Sequence, residues 1–394
     1  MEKVRVGVIG LGVMGSYHAN QLMKGEVKRA ELTAVCDIDA KKMEPYKKCA
    51  KRFEKSEDLI RSGLVDAIII ATPHYFHTTI GIDAFSCGLH TLTEKPISVT
   101  KYDAQRLIDA FKKARKKKPE LVFCAMFNQR TDPYYQKMRK LVKSGELGKI
   151  QRSTWIITNW FRTETYYRSG GWRATWAGEG GGVLVNQCPH QLDLYQWICG
   201  MPIAVTAVGG LGRYHDIEVE DDCSALLEYE NGATGCFITT TGEAPGTNRF
   251  EIAGTKGRLI LDSLPEGRKL SFVHNVEDSQ EVIRTSEYGS TPPEAWDVHI
   301  PLPDTYGGSH LQIKQDFIDA ILDGKELLTP AIEGINGVEL ANAMQYSLMT
   351  RTRVELPMDA AAYNKYLKNL AKNSKFVKKA VVENKGDFAS TATR

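Results

Sequence analysis

Residues 4–15 constrain the fold of this chain more than any other stretch, because they join a run of β-branched residues to three spaced glycines. Valine and isoleucine in the first six positions predict a short buried strand of a parallel sheet. Gly10, Gly12 and Gly15 follow in the pattern Gly-x-Gly-x-x-Gly, and an amphipathic segment, 17–24, predicts a helix after them. The order of strand, glycine turn and helix predicts the start of a doubly wound α/β domain.

Each glycine of this turn has its own physical role. Gly10 permits the tight turn, Gly12 lets the backbone approach a pyrophosphate, and Gly15 allows the helix to pack closely on the strand. The helix amino terminus then offers free N–H groups and the positive end of its dipole to phosphate oxygens. The turn therefore predicts a dinucleotide site, for a nicotinamide rather than a flavin cofactor. The predicted contacts in this turn are Gly10, Leu11, Gly12, Val13, Met14 and Gly15.

Asp37 closes the second predicted strand, 32–36, and indicates which dinucleotide is bound. A carboxylate at this position can accept hydrogen bonds from ribose hydroxyls, and it would repel a 2′-phosphate. We therefore predict NAD. Lys41 and Lys42 lie close enough in the sequence to leave NADP open.

The bulk composition describes a globular protein without an evident polymeric or membrane partner. A chain of 394 residues is long enough for two domains. A charged fraction of 25%, a hydrophobic fraction of 42% and a formal net charge of +3 favour neither nucleic acid nor a membrane. The eight cysteines form no CxxC pair, which suits a reducing compartment. With no apolar stretch near the roughly 18 residues of a membrane helix and no signal peptide before the first strand, we expect a cytoplasmic protein.

The predicted elements divide the chain into two domains and a tail. Alternating strands and helices predict a Rossmann domain, 1–126, with a parallel sheet. Strands separated by turns, together with four helices, then predict an α+β domain, 127–370, in which helices cover one side of an antiparallel sheet. The lysine-rich remainder, 371–394, predicts a surface helix or loose tail. The predicted strands of the first domain are 4–9, 32–36, 65–71, 90–93 and 121–126.

Glu94, Lys95 and Pro96 follow the fourth of these strands. A lysine at the carboxyl end of a parallel strand faces the ligand cleft, and Pro96 fixes the backbone beside it. A Lys-Pro peptide bond can also be cis. The alternative is an ordinary surface ion pair between Glu94 and Lys95.

A second polar group, Thr72-Pro73-His74-Tyr75-Phe76-His77, follows the third strand. The spacing of His74 and His77 could suit a metal ion, but no carboxylate or cysteine partner lies nearby in the sequence. We therefore predict no metal, and expect contact between this group and the nicotinamide or its ribose. The predicted cofactor contacts here are Thr72, Pro73, His74 and His77, joined by Glu94 and Lys95.

The third polar group follows a run of three glycines in the second domain. Asn186, His190 and Asp193 are spaced to share one face of a helix, although Pro189 marks its first turn and leaves Asn186 on the lead-in. Near the helix amino terminus the dipole lowers the pKa of His190 and keeps the imidazole neutral, as a general base requires. The alternative is a histidine that caps or packs.

Residues 159–176 interleave aromatic side chains with arginines. Such a surface suits the faces and hydroxyls of a sugar, and equally a packed loop or a subunit contact. The near-neutral charge of the chain argues against stacking of nucleic acid bases. The arginines could bind a carboxylated sugar or lie in solvent. The predicted substrate contacts are Arg162, Tyr167, Trp172 and Arg173, with Tyr166 and Arg168 as further candidates.

Taken in order, these motifs resemble the glucose–fructose oxidoreductase / inositol dehydrogenase / MocA family over about residues 4–350. The resemblance implies a Rossmann domain followed by a domain with a large open, mostly antiparallel sheet that mediates homodimers or homotetramers, with the active site between the two. The motifs that carry it are the glycine turn, Asp37, Thr72-Pro73, Glu94-Lys95-Pro96 and the run from Gly180 through Asn186 and His190 to Asp193.

The resemblance also implies roles for individual residues. Lys95 would hydrogen-bond the reacting hydroxyl or support its proton transfer, His190 would be the general base, and both would contact substrate together with Asn186. Many members carry aspartate where this chain has Asn186. That departure argues against a simple inositol dehydrogenase and places the base role more firmly on His190, while Asp193 could orient the histidine or serve structure only.

The expected function is an NAD-dependent dehydrogenase that acts on a secondary hydroxyl of a sugar, glycoside or cyclitol. A sharper version is oxidation at C3 of a glycoside. An NAD-dependent glycosidase, in which oxidation is transient and the net reaction is hydrolysis, is one alternative. A non-catalytic nucleotide-binding sensor is another, and the presence of both Lys95 and His190 argues against it.

Overall fold

The computed structural model describes residues 2–264, 267–287, 289–303 and 308–378. Its first sheet has six parallel strands in the order β3-β2-β1-β4-β5-β6, the doubly wound arrangement that the sequence predicts. The strands are β1 (Val4–Ile9), β2 (Ala30–Cys36), β3 (Lys51–Phe53), β4 (Ala67–Ile70), β5 (His90–Thr93) and β6 (Phe123–Ala125).

Helices cover both faces of this sheet, so its central strands are buried on both sides, as in β4, where every residue is buried. The helices between the strands are α1 (Val13–Met23), α2 (Ala40–Met43), α3 (Ser56–Ile60), α4 (Tyr75–Ser86) and α5 (Lys101–Arg115), with a 3₁₀ turn at Glu44–Tyr46. The sequence did not predict β3 and α3, because β3 has only three residues and two of them are exposed charged side chains.

The second sheet has nine strands in the order β14-β13-β12-β11-β7-β10-β9-β8-β15. Its neighbours are antiparallel except β7 and β10, which run parallel. The prediction of a mostly antiparallel sheet is thus confirmed. The strands are β7 (Ile150–Ile157), β8 (Ala204–Leu211), β9 (Glu220–Glu228), β10 (Thr234–Thr240), β11 (Asn248–Gly254), β12 (Gly257–Leu264), β13 (Gly267–Asn275), β14 (Ala295–Ile300) and β15 (Val354–Glu355).

The inner face of this sheet packs on helices, and its core is aromatic. Trp155 of β7 stacks on Phe250 of β11 with ring centroids 4.3 Å apart, and Tyr195 packs against the same ring. The remaining helices are α6 (Pro133–Lys143), α7 (Glu164–Arg168), α8 (Pro189–Cys199), α9 (Ser279–Thr285), α10 (His310–Asp323), α11 (Gly334–Thr350) and α12 (Ala360–Asn373). A π-helical turn (Val183–Gln187) precedes α8, and 3₁₀ turns span Asn128–Thr131 and Ala331–Glu333.

Helix α10 packs on the first domain although it follows eight of the nine strands of the large sheet in sequence. Ile313, Phe317 and Ile318 are buried in one apolar cluster with the residues of β1 and β2. The predicted boundaries, 1–126 and 127–370, therefore misplace α10, because its apolar face is complementary to the nucleotide-binding domain and sequence order does not record that packing.

Among the described residues, no helix has the length and apolar character needed to cross a membrane. Of the predicted tail, 371–394, the structure describes the end of α12 and the segment through Lys378, whose Nζ donates hydrogen bonds to the carbonyl oxygens of Gly170 and Arg173 at 2.8 and 2.7 Å. The rest of the tail, 379–394, lies outside the described residues.

Candidate active site

The glycine turn after β1 has the shape of a dinucleotide cradle. Gly10 adopts a positive φ of 88°, and a Cβ on Gly15 would overlap the carbonyl oxygen of Gly10. A Cβ on Gly12, in contrast, would meet no atom within 4 Å, so the space above this residue is open. Gly12 caps α1 without any side-chain hydrogen bond, and the first turn has no acidic residue. These features fit a pyrophosphate held by backbone N–H groups.

Asp37 is fixed where it can reach an adenosine ribose. Its Oδ2 accepts a hydrogen bond from the N–H of Leu11 at 2.7 Å and its Oδ1 accepts one from the N–H of Asp39 at 2.9 Å. Lys42 Nζ lies 3.6 Å from the same carboxylate. The carboxylate keeps lone pairs for ribose hydroxyls, and its negative charge at this position opposes a 2′-phosphate.

A cleft of about 460 Å³ lies between the two domains, at the carboxyl end of β5 and the amino end of α8. It is lined from the first domain by Val13, Met14, Tyr17, Glu94 and Lys95. It is lined from the second domain by residues that include Trp160, Arg162, Tyr166, Arg173, Asn186, Gln187, His190 and Gln191.

Lys95 lines the cleft and forms a hydrogen bond between the two domains. It follows β5 and precedes a cis peptide bond to Pro96. Its Nζ donates a hydrogen bond to the main-chain carbonyl oxygen of Asn186 at 2.8 Å, which leaves two N–H groups for a ligand. Burial lowers the pKa of Lys95, and the carboxylates of Glu94 and Glu179 oppose that effect only in part. The ammonium is therefore in place to donate to a substrate oxygen.

His190 is the second residue of α8, as the sequence predicts from Pro189. Burial lowers the pKa of His190 well below its usual value, and the positive charge of Lys95 lowers it further. The imidazole is thus neutral, as predicted, but the main cause is burial and not the helix dipole. Its Nδ1 has no hydrogen-bond partner within the part of the chain that the structure describes. A neutral histidine beside a lysine can accept a proton from a hydroxyl that the lysine polarises.

Glu94 is held in a buried chain of polar groups that the sequence does not reveal. His18 Nε2 donates a hydrogen bond to Glu94 Oε1 at 2.7 Å, and Lys314 Nζ donates one to Nδ1 of the same imidazole at 3.0 Å. Burial raises the pKa of Glu94, but the hydrogen bond from His18 and the neighbouring positive charges lower it to about 2. Since His18 lies on α1 and Lys314 on α10, only the packing of α10 on the first domain brings them together.

Asn186 is paired with a buried carboxylate. It lies on the π-helical turn, and its Nδ2 donates a hydrogen bond to Oε1 of Glu179. Glu179 is 1% exposed, and its Oε2 accepts the N–H of Ala174 at 2.6 Å. Burial raises the pKa of Glu179, with Arg173 acting in the opposite direction from 4.0 Å. The carboxyl group that Asn186 lacks is therefore supplied by Glu179, which is hydrogen-bonded directly to the Asn186 amide.

Asp193 serves structure and does not orient His190. Arg130 donates two hydrogen bonds to its carboxylate, from Nε at 2.8 Å and from Nη2 at 2.6 Å, and both side chains are 1% exposed. A bidentate pair of this kind fixes α8 against the 3₁₀ turn before α6. Of the two roles that the sequence left open for Asp193, the structure supports the structural one.

The residues after β4 brace the turn beside Lys95. The imidazole of His77 lies between the carbonyl oxygens of Pro96 and Thr72, each 2.8 Å from a ring nitrogen. His74 is buried against the ring of Trp172 at 5.6 Å. The residues that line the cleft do not include Thr72, Pro73, His74 or His77, and the described residues hold no cluster of metal ligands.

Two of the predicted substrate contacts lie away from the cleft. Tyr167 is 2% exposed, and its hydroxyl bonds to Oγ1 of Thr241 at 2.8 Å. The prediction for Tyr167 is therefore wrong, because α7 turns this ring into the core and presents the neighbouring Tyr166 to the cleft instead. Trp172 packs on His74 and is also absent from the cleft lining. Arg162, Arg173, Asn186 and His190 do line it.

The fold and this site define an NAD-dependent oxidoreductase. A family model described as an oxidoreductase family with an NAD-binding Rossmann fold matches residues 4–118, and one described as the GFO/IDH/MocA C-terminal domain matches residues 135–260. The chain belongs to the Gfo/Idh/MocA family. The predicted family, fold class and cofactor are thereby confirmed.

Several relatives match over nearly the whole chain. The myo-inositol 2-dehydrogenase of Thermotoga maritima is 24% identical over 90% of this chain and 98% of its own. The levoglucosan dehydrogenase of Pseudarthrobacter phenanthrenivorans is 26% identical over 92% of this chain and 100% of its own. Among solved structures, the WlbA dehydrogenase of Bordetella pertussis in complex with NADH and UDP-GlcNAcA superposes with a TM-score of 0.73, at 24% identity over 91% of this chain and 100% of that chain. At this identity the structural likeness shows the fold alone.

Proposed function

We propose that this protein oxidises a secondary hydroxyl of a sugar, glycoside or cyclitol with NAD, and that Lys95 and His190 handle the proton. The observation that carries the proposal is the meeting of a cationic lysine and a neutral histidine in one cleft, beside the open glycine turn. Each residue comes from a different domain, so the pair exists only at the domain boundary.

The polar lining of the cleft suits a polyol. Buried polar atoms without a partner among the described residues include Oε1 of Gln187, Oε1 of Gln191 and Nε1 of Trp160, and all three side chains line the cleft. Unpaired buried polar atoms are costly, and hydroxyl groups can act as both donor and acceptor toward them. Relatives named for dehydrogenation of inositol and levoglucosan support the same substrate class.

In the proposed reaction, a carbinol carbon loses a hydride and its hydroxyl loses a proton, so that a ketone forms. The bound cofactor supplies the hydride acceptor at its nicotinamide ring. Lys95 donates a hydrogen bond to the hydroxyl oxygen and stabilises the negative charge that develops there. His190 accepts the proton, and the amide of Asn186, fixed by Glu179, offers its Oδ1 to a neighbouring hydroxyl.

Absorbance of NADH tests the proposal, with purified protein and NAD presented to inositols, free sugars, uronic acids and glycosides. We expect one substrate class to yield NADH, and we expect Lys95→Met and His190→Asn each to lower kcat/KM by ~10²–10⁴-fold, the usual contribution of a proton-transfer group. Lys112→Met and His299→Asn, at exposed positions on α5 and β14, are matched controls that should change nothing.

Other outcomes would contradict the proposal in distinguishable ways. Product formation without NADH accumulation would indicate a closed-cycle glycosidase, and the absence of any product from NAD-loaded protein would indicate a sensor. For a glycoside substrate, transfer of deuterium from a C3-labelled sugar to NADH tests whether C3 is the oxidised carbon.

A further inference from the structure

Arg162 is a cationic side chain of the cleft with no carboxylate partner among the described residues. Its Nη1 donates a hydrogen bond to the carbonyl oxygen of Phe161 at 3.1 Å, and its buried Nε has no acceptor in that part of the chain. The other arginines of the cleft differ in this respect. Arg268 pairs with Asp132 at 2.8 Å, and Arg173 lies 4.0 Å from Glu179.

The guanidinium of Arg162 is partly buried and lies against two aromatic rings. Its central carbon lies 4.9 Å from the ring centroid of Tyr166 and 5.4 Å from that of Trp160. Its backbone is fixed as well, because its N–H donates to the carbonyl oxygen of Thr241 at 2.9 Å and its own carbonyl oxygen lies 2.9 Å from His215 Nε2. A pre-positioned arginine loses little side-chain freedom when it binds an anion.

Arg173 is a second cation that lies against the same Tyr166 ring as Arg162. The guanidinium carbon of Arg173 lies 4.6 Å from the Tyr166 ring, and Nη1 of Arg173 donates to the tyrosine hydroxyl at 2.9 Å. Two guanidinium groups therefore share one aromatic ring, and Glu179 is the one carboxylate that the described part of the chain pairs with either of them. Trp160 adds an indole N–H that has no acceptor among the described residues. This group, Arg162, Tyr166, Arg173 and Trp160, is called the arginine wall below.

We propose that the arginine wall binds a negatively charged group of the substrate, so that the protein acts on sugars that carry an anion in preference to neutral ones. The inference rests on the proposed dehydrogenase function and adds the substrate class. The planar fork of Arg162 matches a carboxylate or a phosphate oxygen pair, and a sugar that places such a group on the wall still presents ring hydroxyls to the rest of the cleft. A bound anion also supplies the counter-charge that the wall lacks.

The test compares acidic sugars with their neutral counterparts, as substrates and as ligands. The probes are D-glucuronate against D-glucose, D-galacturonate against D-galactose, and glucose 6-phosphate to separate phosphate from carboxylate. We expect wild-type kcat/KM to favour an acidic member, and Arg162→Gln to lower kcat/KM for that member by about 10- to 100-fold, mainly through KM, which is the usual cost of losing a charged hydrogen bond. For the neutral counterpart we expect Arg162→Gln to change kcat/KM by less than about twofold, because a neutral sugar has no ionic contact with Arg162 to lose.

Two controls keep the test decisive. Arg162→Lys should recover part of the loss because it keeps the charge, and Arg168→Gln, on the same segment but outside the cleft lining, should behave as wild type. Binding of glucuronate to the protein with NADH, followed by tryptophan fluorescence, gives a readout that does not depend on turnover. We expect binding that weakens in Arg162→Gln and with added salt.

Each outcome bears on one of the two proposals. Oxidation of neutral sugars or cyclitols with no preference for an acidic sugar, and no effect of Arg162→Gln on that preference, would overturn the arginine wall and leave the dehydrogenase standing. Glucuronate binding that depends on Arg162, without oxidation of any sugar, would support the wall and overturn the dehydrogenase.

Discussion

Asn186 contributes two groups to the active site, and the second explains why an amide stands at this position. Its carbonyl oxygen accepts from Lys95, while its side-chain amide donates to the buried carboxylate of Glu179. An aspartate at position 186 would place a second carboxylate against the first. Two carboxylates in contact cannot both ionise freely, so one pKa rises and the pair shares a proton.

We therefore predict that Asn186→Asp lowers kcat/KM about 10- to 100-fold at pH 8, which is the usual effect of disturbing one charged contact. At pH 6 the loss should be smaller, because the two carboxyl groups can then share a proton. Steady-state rates at both pH values measure the effect. The double variant Asn186→Asp with Glu179→Gln should recover activity, because one carboxylate again faces one amide. Equal loss in the single and double variants would contradict this account.

The protonation states of Lys95 and His190 set the pH range of the reaction. Lys95 must keep its proton, and because burial lowers its pKa below the ordinary 10.5, its loss of charge begins at a lower pH than in a free lysine. His190 must be neutral, and burial keeps its pKa well below 6.5. We predict a kcat/KM profile that is flat through neutral pH, with an alkaline limb below pH 10.5 that disappears in Lys95→Met. An acid limb centred near pH 6.5 would show that His190 titrates normally.

At the scale of the element, a carboxylate that the sequence analysis did not identify binds the backbone of the glycine run 180–182 and the turn that follows it. Glu220 of β9 accepts the N–H groups of Gly182 and Leu184 at 2.9 and 3.2 Å, and Nε2 of Gln345 at 3.1 Å. Burial raises the pKa of Glu220 to about 7 against those hydrogen bonds. The turn that presents Asn186 is therefore tied to the large sheet through a group that titrates near neutrality.

The raised pKa of Glu220 predicts a pH-dependent stability. Because the folded state holds this proton more tightly than the unfolded state, the contribution is full below the unfolded value near 4.5 and is lost as pH rises to about 7. The free energy of unfolding should fall by up to about 3 kcal/mol over that interval relative to Glu220→Gln, which cannot ionise. Urea unfolding from pH 4.5 to 7.5 measures the difference, with Glu230→Gln, exposed after β9, as control. Parallel curves for wild type and Glu220→Gln would contradict the prediction.

Which elements the sequence predicts follows from how each one is stabilised. Strands β1 and β5 match their predicted bounds, because apolar runs bounded by turn residues mark buried parallel strands. Strands β13 and β14 were not predicted, and all but one of the six residues of β14 are exposed. Their formation depends on pairing with neighbouring strands, which local periodicity does not record.

The residues of the candidate site also separate into those with a local sequence signal and those without one. Lys95 and His190 could be predicted because each follows a local signal, a strand end or a proline that begins a helix. The residues that tune them could not, since Glu179, His18 and Lys314 act through contacts between distant segments. Tyr167 was misassigned because a five-residue helix gives no periodicity from which to choose between adjacent tyrosines.

At the scale of the whole molecule, no helix of the described residues covers the outer face of the large sheet. Val208 and Leu226, on β8 and β9, are 54% and 62% exposed, and Ile156 and Ile238 lie on the same face of β7 and β10. The face also carries both signs of charge. Its charged residues are Arg152, Arg249, Glu251, Arg258 and Asp262. Apolar side chains flanked by opposite charges can contact the same patch on a second copy related by a twofold axis.

We therefore propose that two copies of this chain pair through the outer face, and predict that light scattering after size-exclusion chromatography gives about twice the chain mass. Val208→Glu with Leu226→Glu should yield monomers of unchanged circular dichroism, because four like charges would meet in the centre of a desolvated contact. Ile283→Glu, on α9 and 72% exposed, is a matched control that should remain dimeric. A wild-type protein that is monomeric at every concentration would exclude this interface. A double variant that stays dimeric would place the contact elsewhere on the molecule.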